Sequence, residues 1–368
     1  MNKRILLIAI LSSATLLFSL GGCEGPAGPQ GSQGDTGPKG TSASSIIGFD
    51  TLTCGKCHIA EKDTSYHVAA RTFQWENSVH ASGGHSYENG SSCAECHTSE
   101  GFIQKMSGQS VSAPQPSPPG CFACHSPHLN LDFSLRNITP VSLLSNITGV
   151  ANATFDYGQG NLCVQCHHPR SQSVKLNIAK LATTDTIKIT SSRWYGHYGV
   201  QSQLLMGEGG FEWPGYTYNN SFHASSSTIK QEGCIVCHMS APFGDLAGGH
   251  SMRITYMEEG EEAEHTTGCT ISGCHSSTGF TLNYNGKMTE VEHNMDTLKI
   301  LLAQKGWIDT VANSVKASTS APLVIVPANK AGAIWNYFLV EHDKSEGVHN
   351  TNYALGILRA SIEELRKP

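Results

Sequence analysis

One pattern constrains this chain more than any other: two cysteines, two residues between them, and a histidine directly after the second. "CGKCH" supplies Cys54, Cys57 and His58, "CAECH" supplies Cys93, Cys96 and His97, and "CFACH" supplies Cys121, Cys124 and His125. "CVQCH" adds Cys163, Cys166 and His167, and "CIVCH" adds Cys234, Cys237 and His238. A sixth copy, "CTISGCH", has four residues between Cys269 and Cys274 before His275. Of the 13 cysteines, only Cys23 stands outside these pairs.

Zinc ribbons use paired Cys-x-x-Cys, but tetrahedral zinc has no need of a histidine after every second cysteine. Iron–sulfur clusters and redox disulfides do not demand it either, and these stay as weaker alternatives. With 18 histidines among 368 residues, six in six by chance would be a remote coincidence. Covalent haem does require the pattern: two thioethers hold the macrocycle while the adjacent histidine binds the iron from below. The spacing therefore points to a multihaem c-type cytochrome with six covalently bound haem c groups. His58, His97, His125, His167, His238 and His275 are the expected proximal ligands. The hydrophobic share of 39% and mean hydropathy of −0.23 are thin for a core of this length. The haems are therefore expected to form most of the core.

The N-terminus reads as a targeting segment. Lys3 and Arg4 precede the apolar run "ILLIAILSSATLLFSL", which ends in "LGGC" at Cys23. A basic start, a short apolar stretch and small residues before the cut make a secretory signal, and the run is short for a membrane span. Leu-Gly-Gly-Cys resembles a bacterial lipoprotein box, which implies lipidation at Cys23 and a signal peptide over residues 1–22. Glu24, by analogy with lipoprotein sorting, points to the outer membrane, facing periplasm or cell surface. Residues 23–48 contain a collagen-like Gly-x-y run from Gly25 to Gly40. So few triplets fit an extended spacer better than a trimer, reaching roughly 45 Å at ~3.1 Å per residue. The formal charge of −6 gives no electrostatic case for nucleic acid.

Twelve histidines remain to close the sixth positions of six irons. His80 in "NSVHAS" and His223 in "NSFHAS" share a context, each just upstream of a haem motif. His128 lies three residues after His125, too near to reach the distal face of that haem, so it would serve a neighbour. His250 follows "GG", His197 sits in "GHYGVQ", and His349 sits in "GVHN" before a C-terminal helical pattern. His168, directly after His167, is the strongest rival. His67, His85, His265, His293 and His342 read as ordinary surface or helix-face residues.

"GHYGVQSQLLMGEGG", "NSFHASSSTIKQEGCIVCHM", "GGHSMRI" and "GVHNTNYALGILRAS" resemble the multihaem cytochromes related to pentahaem nitrite reductases, octahaem hydroxylamine oxidoreductases and octahaem tetrathionate reductases. The resemblance covers roughly residues 50–365 and is most specific from Arg193 onward. It implies that His197, His223, His250 and His349 are distal ligands; His80 and His128 complete a set of six by context. No Cys-x-x-Cys-Lys motif, which marks the catalytic haem of the nitrite reductases, is present. Tyr195, Tyr198, Tyr216, Tyr218 and Tyr353 could serve a tyrosine crosslink as in the hydroxylamine oxidoreductases, but no motif singles one out, and packing against haem is the simpler use. The resemblance thus supplies scaffold rather than active site.

The leading expectation is an electron carrier, not an enzyme, exchanging electrons with other redox proteins or cytochromes in respiratory or extracellular electron transfer. A reductase of a small nitrogen or sulfur oxyanion, or a subunit of a homo-oligomeric cytochrome filament, stays open. The expected fold is mostly irregular with short α-helices, in one haem-bearing domain over 49–368, with haem motifs at 54–275 and helices over 289–366. Residues 171–192 alternate Val, Ile and Thr, predicting a small β-hairpin as the most sheet the chain contains. Val291, Met295, Leu298 and Leu302 fall at helical spacing. A C-terminal helical pair carrying Trp335, Tyr337 and Phe338 is expected to be the platform for the haems.

Overall fold

"GAIWNYFLVEHD", Gly332–Asp343, is apolar around nearly its whole circumference, and a helix of that kind belongs in the middle of a core. It lies there in the computed structural model, with Trp335, Tyr337 and Phe338 all buried. The structure describes residues 65–368 apart from 84, 131, 171–175 and 178–182. The signal peptide, Cys23, the Gly-x-y spacer and the first motif (Cys54, Cys57, His58) lie outside the described residues, as does the side chain of His128.

Two further helices pack on this one. Thr351–Arg366 is amphipathic, turning Tyr353, Leu355, Ile357, Leu358 and Leu365 inward, and Asn350 caps its start by accepting from the Tyr353 N–H. Lys287–Gln304 buries Val291, Leu298 and Leu302, with Met295 partly buried on the same stripe. The platform is therefore three helices rather than a pair. The largest apolar cluster is built around it from residues that fall mostly after Trp194. Before that point the described core is meagre: one small cluster around Phe155 and another of Phe102, Ala123 and Leu162.

The rest is short helices and loops with small two-stranded sheets, none closed into a barrel. Among the described residues of 171–192 the strands of the expected hairpin pair elsewhere rather than with each other. Ile187–Ile189 pairs antiparallel with the distant Leu323–Ile325, and Leu176–Asn177 pairs parallel with Ile147–Thr148. Alternation identified strand character but carries no information on a partner more than a hundred residues away. Nor is sheet confined to one hairpin. Val141–Leu143 pairs with Ala153–Phe155, and Ile308–Asp309 pairs with Ser314–Val315. Thr255–Glu258 and Glu261–Glu264 make a tight hairpin whose two turn residues, Glu259 and Gly260, both have positive φ, as a right-twisted ribbon prefers.

Candidate metal centres

Four of the described motifs fold around a turn of helix: Ser91–His97, Cys121–Cys124, Asn161–Val164 and Ile235–His238. Residues three apart on a helix share a face, so both thiols of a motif project to one side while the histidine leaves at the end. The sixth motif, with its longer spacing, is a run of turns closed by the His275 N–H donating to the Cys269 carbonyl at 3.0 Å. The ten described motif cysteines form no disulfide.

The segments carrying the other histidines are also built locally. "NSVHAS" and "NSFHAS" both form a single helical turn, Val79–Ser82 and Phe222–Ser225, with the histidine second. Ser78 caps the first turn, accepting from the Ala81 N–H at 3.1 Å. Ser221 occupies the same place in the second, but its hydroxyl donates to Asn350 Oδ1 at 2.9 Å, fastening His223 to the C-terminal helix. Gly199, with φ of 119°, lets "GHYGVQ" pass the fourth motif closely: a Cβ there would lie 3.2 Å from the Cys166 carbonyl oxygen.

These elements bring histidines together two by two. His97 faces His197 with ring centres 6.3 Å apart, and His125 faces His250 at 6.3 Å. His167 faces His80 at 6.1 Å, His238 faces His349 at 6.3 Å, and His275 faces His223 at 6.0 Å. Every described motif histidine meets one of the histidines singled out as a distal candidate. Two imidazoles bound on opposite sides of one metal, each through a bond of about 2.0 Å, hold their ring centres about 6.3 Å apart. The donor set therefore fits a bis-imidazole iron at each described motif.

Second nitrogens are occupied in a matching way. His125 Nδ1 lies 2.7 Å from the Phe133 carbonyl oxygen, His223 Nδ1 2.7 Å from that of Val348, and His238 Nδ1 3.0 Å from that of Met252. His167 Nδ1 lies 3.1 Å from Gln201 Oε1, and His349 Nδ1 2.7 Å from Asp343 Oδ1. Metal-binding histidines are oriented by such partners on the nitrogen that does not bind. Burial also favours the neutral ring that coordination needs. Burial, reinforced by a nearby histidine or arginine, lowers His80, His197 and His250 to about 4. Burial likewise lowers His97, His167, His223 and His238. For His349 burial also disfavours the charge, but the Asp343 carboxylate outweighs it and the ring is held above its ordinary value.

The remaining histidines have other surroundings. His168 turns Nδ1 to the Pro169 carbonyl at 2.8 Å and faces no described histidine ring. His85 joins Glu88 and His97 in a group whose ligand atoms lie within 4.8 Å of one another, at the edge of the His97–His197 pair. His293 is exposed on its helix. His342 and His265 are core residues rather than surface ones. His342 stacks on Tyr198 at 3.9 Å with Nδ1 near the Gly196 carbonyl, and His265 meets the Ser240 hydroxyl. The candidate tyrosines are engaged as well: Tyr195 packs on Phe338, Tyr216 donates to Glu364, Tyr218 to the Trp213 carbonyl, and buried Tyr353 to Glu212.

Neighbouring motifs touch through their thiols. Cys96 contacts Cys166, Cys163 contacts Cys234, and Cys237 contacts Cys269. Sequence reasoning missed the residues that bridge centres. Gln201 was visible as the last residue of "HYGVQ" but was read only for its histidine. Met252 and Asp343 carry no local signal, because a methionine or an aspartate near a histidine is commonplace.

No family model and no curated protein matches the chain. Among solved structures it is similar to the crystal structure of Outer Cell Wall Cytochrome OcwA, at 18% identity and a TM-score of 0.47, over 80% of this chain and 50% of that one. The chain spans about half the length of that structure. Among the described residues, no helix is long and apolar enough to cross a membrane.

Proposed function

We propose that the protein is an electron-transfer hexahaem c-type cytochrome, a membrane-anchored lipoprotein that passes electrons among closely spaced bis-histidine haems in respiratory or extracellular electron transfer. The observation that carries this reading is the pairing of five motif histidines with five separately chosen histidines at 6.0–6.3 Å. His58 and the side chain of His128 lie outside the described residues and keep their sequence-based assignments, His58 as a proximal ligand and His128 as a distal candidate. When bound, haem supplies a one-electron iron couple, and two imidazoles per iron saturate it, which suits transfer rather than catalysis. The chain's own part is to attach through Cys54, Cys57, Cys93, Cys96, Cys121, Cys124, Cys163, Cys166, Cys234, Cys237, Cys269 and Cys274. It also orients His125, His167, His223, His238 and His349 through their Nδ1 partners and keeps the described motifs in contact. Pyridine haemochrome assay and intact mass should give six covalent haems per chain. Low-temperature paramagnetic resonance should show low-spin ferric iron throughout. A high-spin signal near one iron in six would instead support the oxyanion reductase.

A further inference from the structure

Four of the ten paired rings direct Nδ1 to a neutral oxygen: His125, His223 and His238 to backbone carbonyls, and His167 to the Gln201 amide. Among the described residues, His80 Nδ1 meets the Met252 thioether, at 3.2 Å. His349 differs. Its Nδ1–H donates to a carboxylate, Asp343 Oδ1, at 2.7 Å, and the Asp343 side chain is fully buried. The other carboxylate oxygen accepts from the Ser345 hydroxyl and, at 3.3 Å, from the Ser345 N–H. Glu88 also approaches a motif histidine, His97, but at 3.6 Å, on Nε2, and from a side chain 38% exposed, where water screens it.

A charged acceptor pulls on the Nδ1 proton and gives the ring imidazolate character, so the opposite nitrogen becomes a stronger donor. A stronger donor stabilises ferric over ferrous iron and lowers the potential. The adjoining His80–His167 pair has the contrasting environment, an amide and a thioether. Two residues span the pairs. Gln201 faces His167 with Oε1 while its Nε2 donates to the carbonyls of His342 and Asp343 at 3.4 and 3.3 Å. Met252 offers its carbonyl to His238 and its sulfur to His80.

We propose that Asp343 is a positioning residue that lowers the potential of the His238–His349 centre, with a step up in potential to the His80–His167 centre beside it. This rests on the haem reading above. The test is a spectroelectrochemical titration of the haem-loaded full chain, with low-spin resonance signals followed at each potential. In Asp343→Asn one low-potential step should move up by at least a tenfold change in that iron's reduction equilibrium, about 59 mV for one electron, while the other steps hold. Asp343→Glu should restore most of the wild-type value. Ser345→Ala, which removes a donor competing for the carboxylate, should move the same step down. This opposite sign is one that simple loosening of the fold would not produce. The inference is overturned if Asp343→Asn loads haem and leaves every step in place, or moves all steps together. Should Asp343→Asn fail to load haem, a Ser345→Ala step that stays or rises overturns it equally. Wild-type protein without covalent haem would overturn the haem reading and this inference with it.

Discussion

Ser78, Val79 and His80 show how much of a candidate site can rest on three adjacent residues. Ser78 caps one turn of helix, the turn fixes the direction of His80, and the ring comes to stand 6.1 Å from His167, 87 positions later in the chain. The rival, His168, is adjacent to His167 in sequence, yet its Nδ1 is taken by its own Pro169 carbonyl and it faces no described histidine. Replacement separates the two. His80→Gly should convert one iron of six from low to high spin and allow cyanide to bind there, whereas His168→Ala should leave all six low-spin and closed to cyanide. Resonance spectra of both variants, with and without cyanide, decide the matter. The candidate histidines were legible because each sits in a recognisable local context. Asp343, Gln201 and Met252 were not, because what makes them matter is the ring each meets after folding.

Among the secondary-structure elements, the C-terminal helices were legible from periodicity, since a 3.6-residue stripe of apolar side chains encodes one buried face without reference to a partner. Strand pairing was not, because the partner of Ile187–Ile189 lies at Leu323–Ile325 and no local pattern names it. His342 was misassigned for a related reason. Charged Glu341 and Asp343 on either side suggest a solvent face, but the helix is surrounded on all sides and buries His342 and Asp343 alike. Asn336, on that same helix, is the polar residue that locks the platform. Its Oδ1 accepts from the Phe211 N–H at 2.6 Å, and its Nδ2 donates to the Phe211 carbonyl at 2.8 Å and to Ser361 Oγ at 3.1 Å. It thereby satisfies a buried backbone pair while joining the loop after Met206 to the last helix. Asn336→Leu preserves volume but leaves both Phe211 groups without a partner, at a cost of about 3 kcal/mol. A melting temperature lower by roughly 5 °C or more is expected for a chain of this size, read from the thermal unfolding of the haem-loaded protein. A change within error would show that water or a shifted backbone replaces those bonds.

Across the described motifs of the molecule the contacts are unequal, and the fourth motif lies at their crossing. Its Cys166 meets Cys96 of the second motif, its Cys163 meets Cys234 of the fifth, and burial together with the proximity of Cys163 raises Cys124 of the third to about 12. Two glycines press the fourth and fifth together: a Cβ on Gly160 would lie 2.8 Å from the Cys234 nitrogen, and one on Gly233 would lie 2.6 Å from the Gly160 Cα. Among the described residues the sixth motif has one thiol contact with a neighbour, Cys237 with Cys269, and residues 276–279 just after it are exposed. A chain whose described apolar core before Trp194 is mostly two small clusters depends there on whatever the motifs hold. Removing attachment at the centre should therefore be felt at several motifs, and removing it at the end at one. Cys269→Ala with Cys274→Ala should lower the haem count from six to five, leave the other irons low-spin, and preserve rapid single-phase reduction by a small donor. Cys163→Ala with Cys166→Ala should cost more than one haem or yield degraded protein. In whatever fully folded fraction survives, reduction should split into separate phases, because the second and third motifs have lost the neighbour that joins them to the fifth. Pyridine haemochrome assay, intact mass and stopped-flow reduction measure these outcomes on the same preparations. Equal losses from the two double variants, with reduction kinetics unchanged in both, would mean that the fourth motif is one member among six rather than the junction the thiol contacts describe.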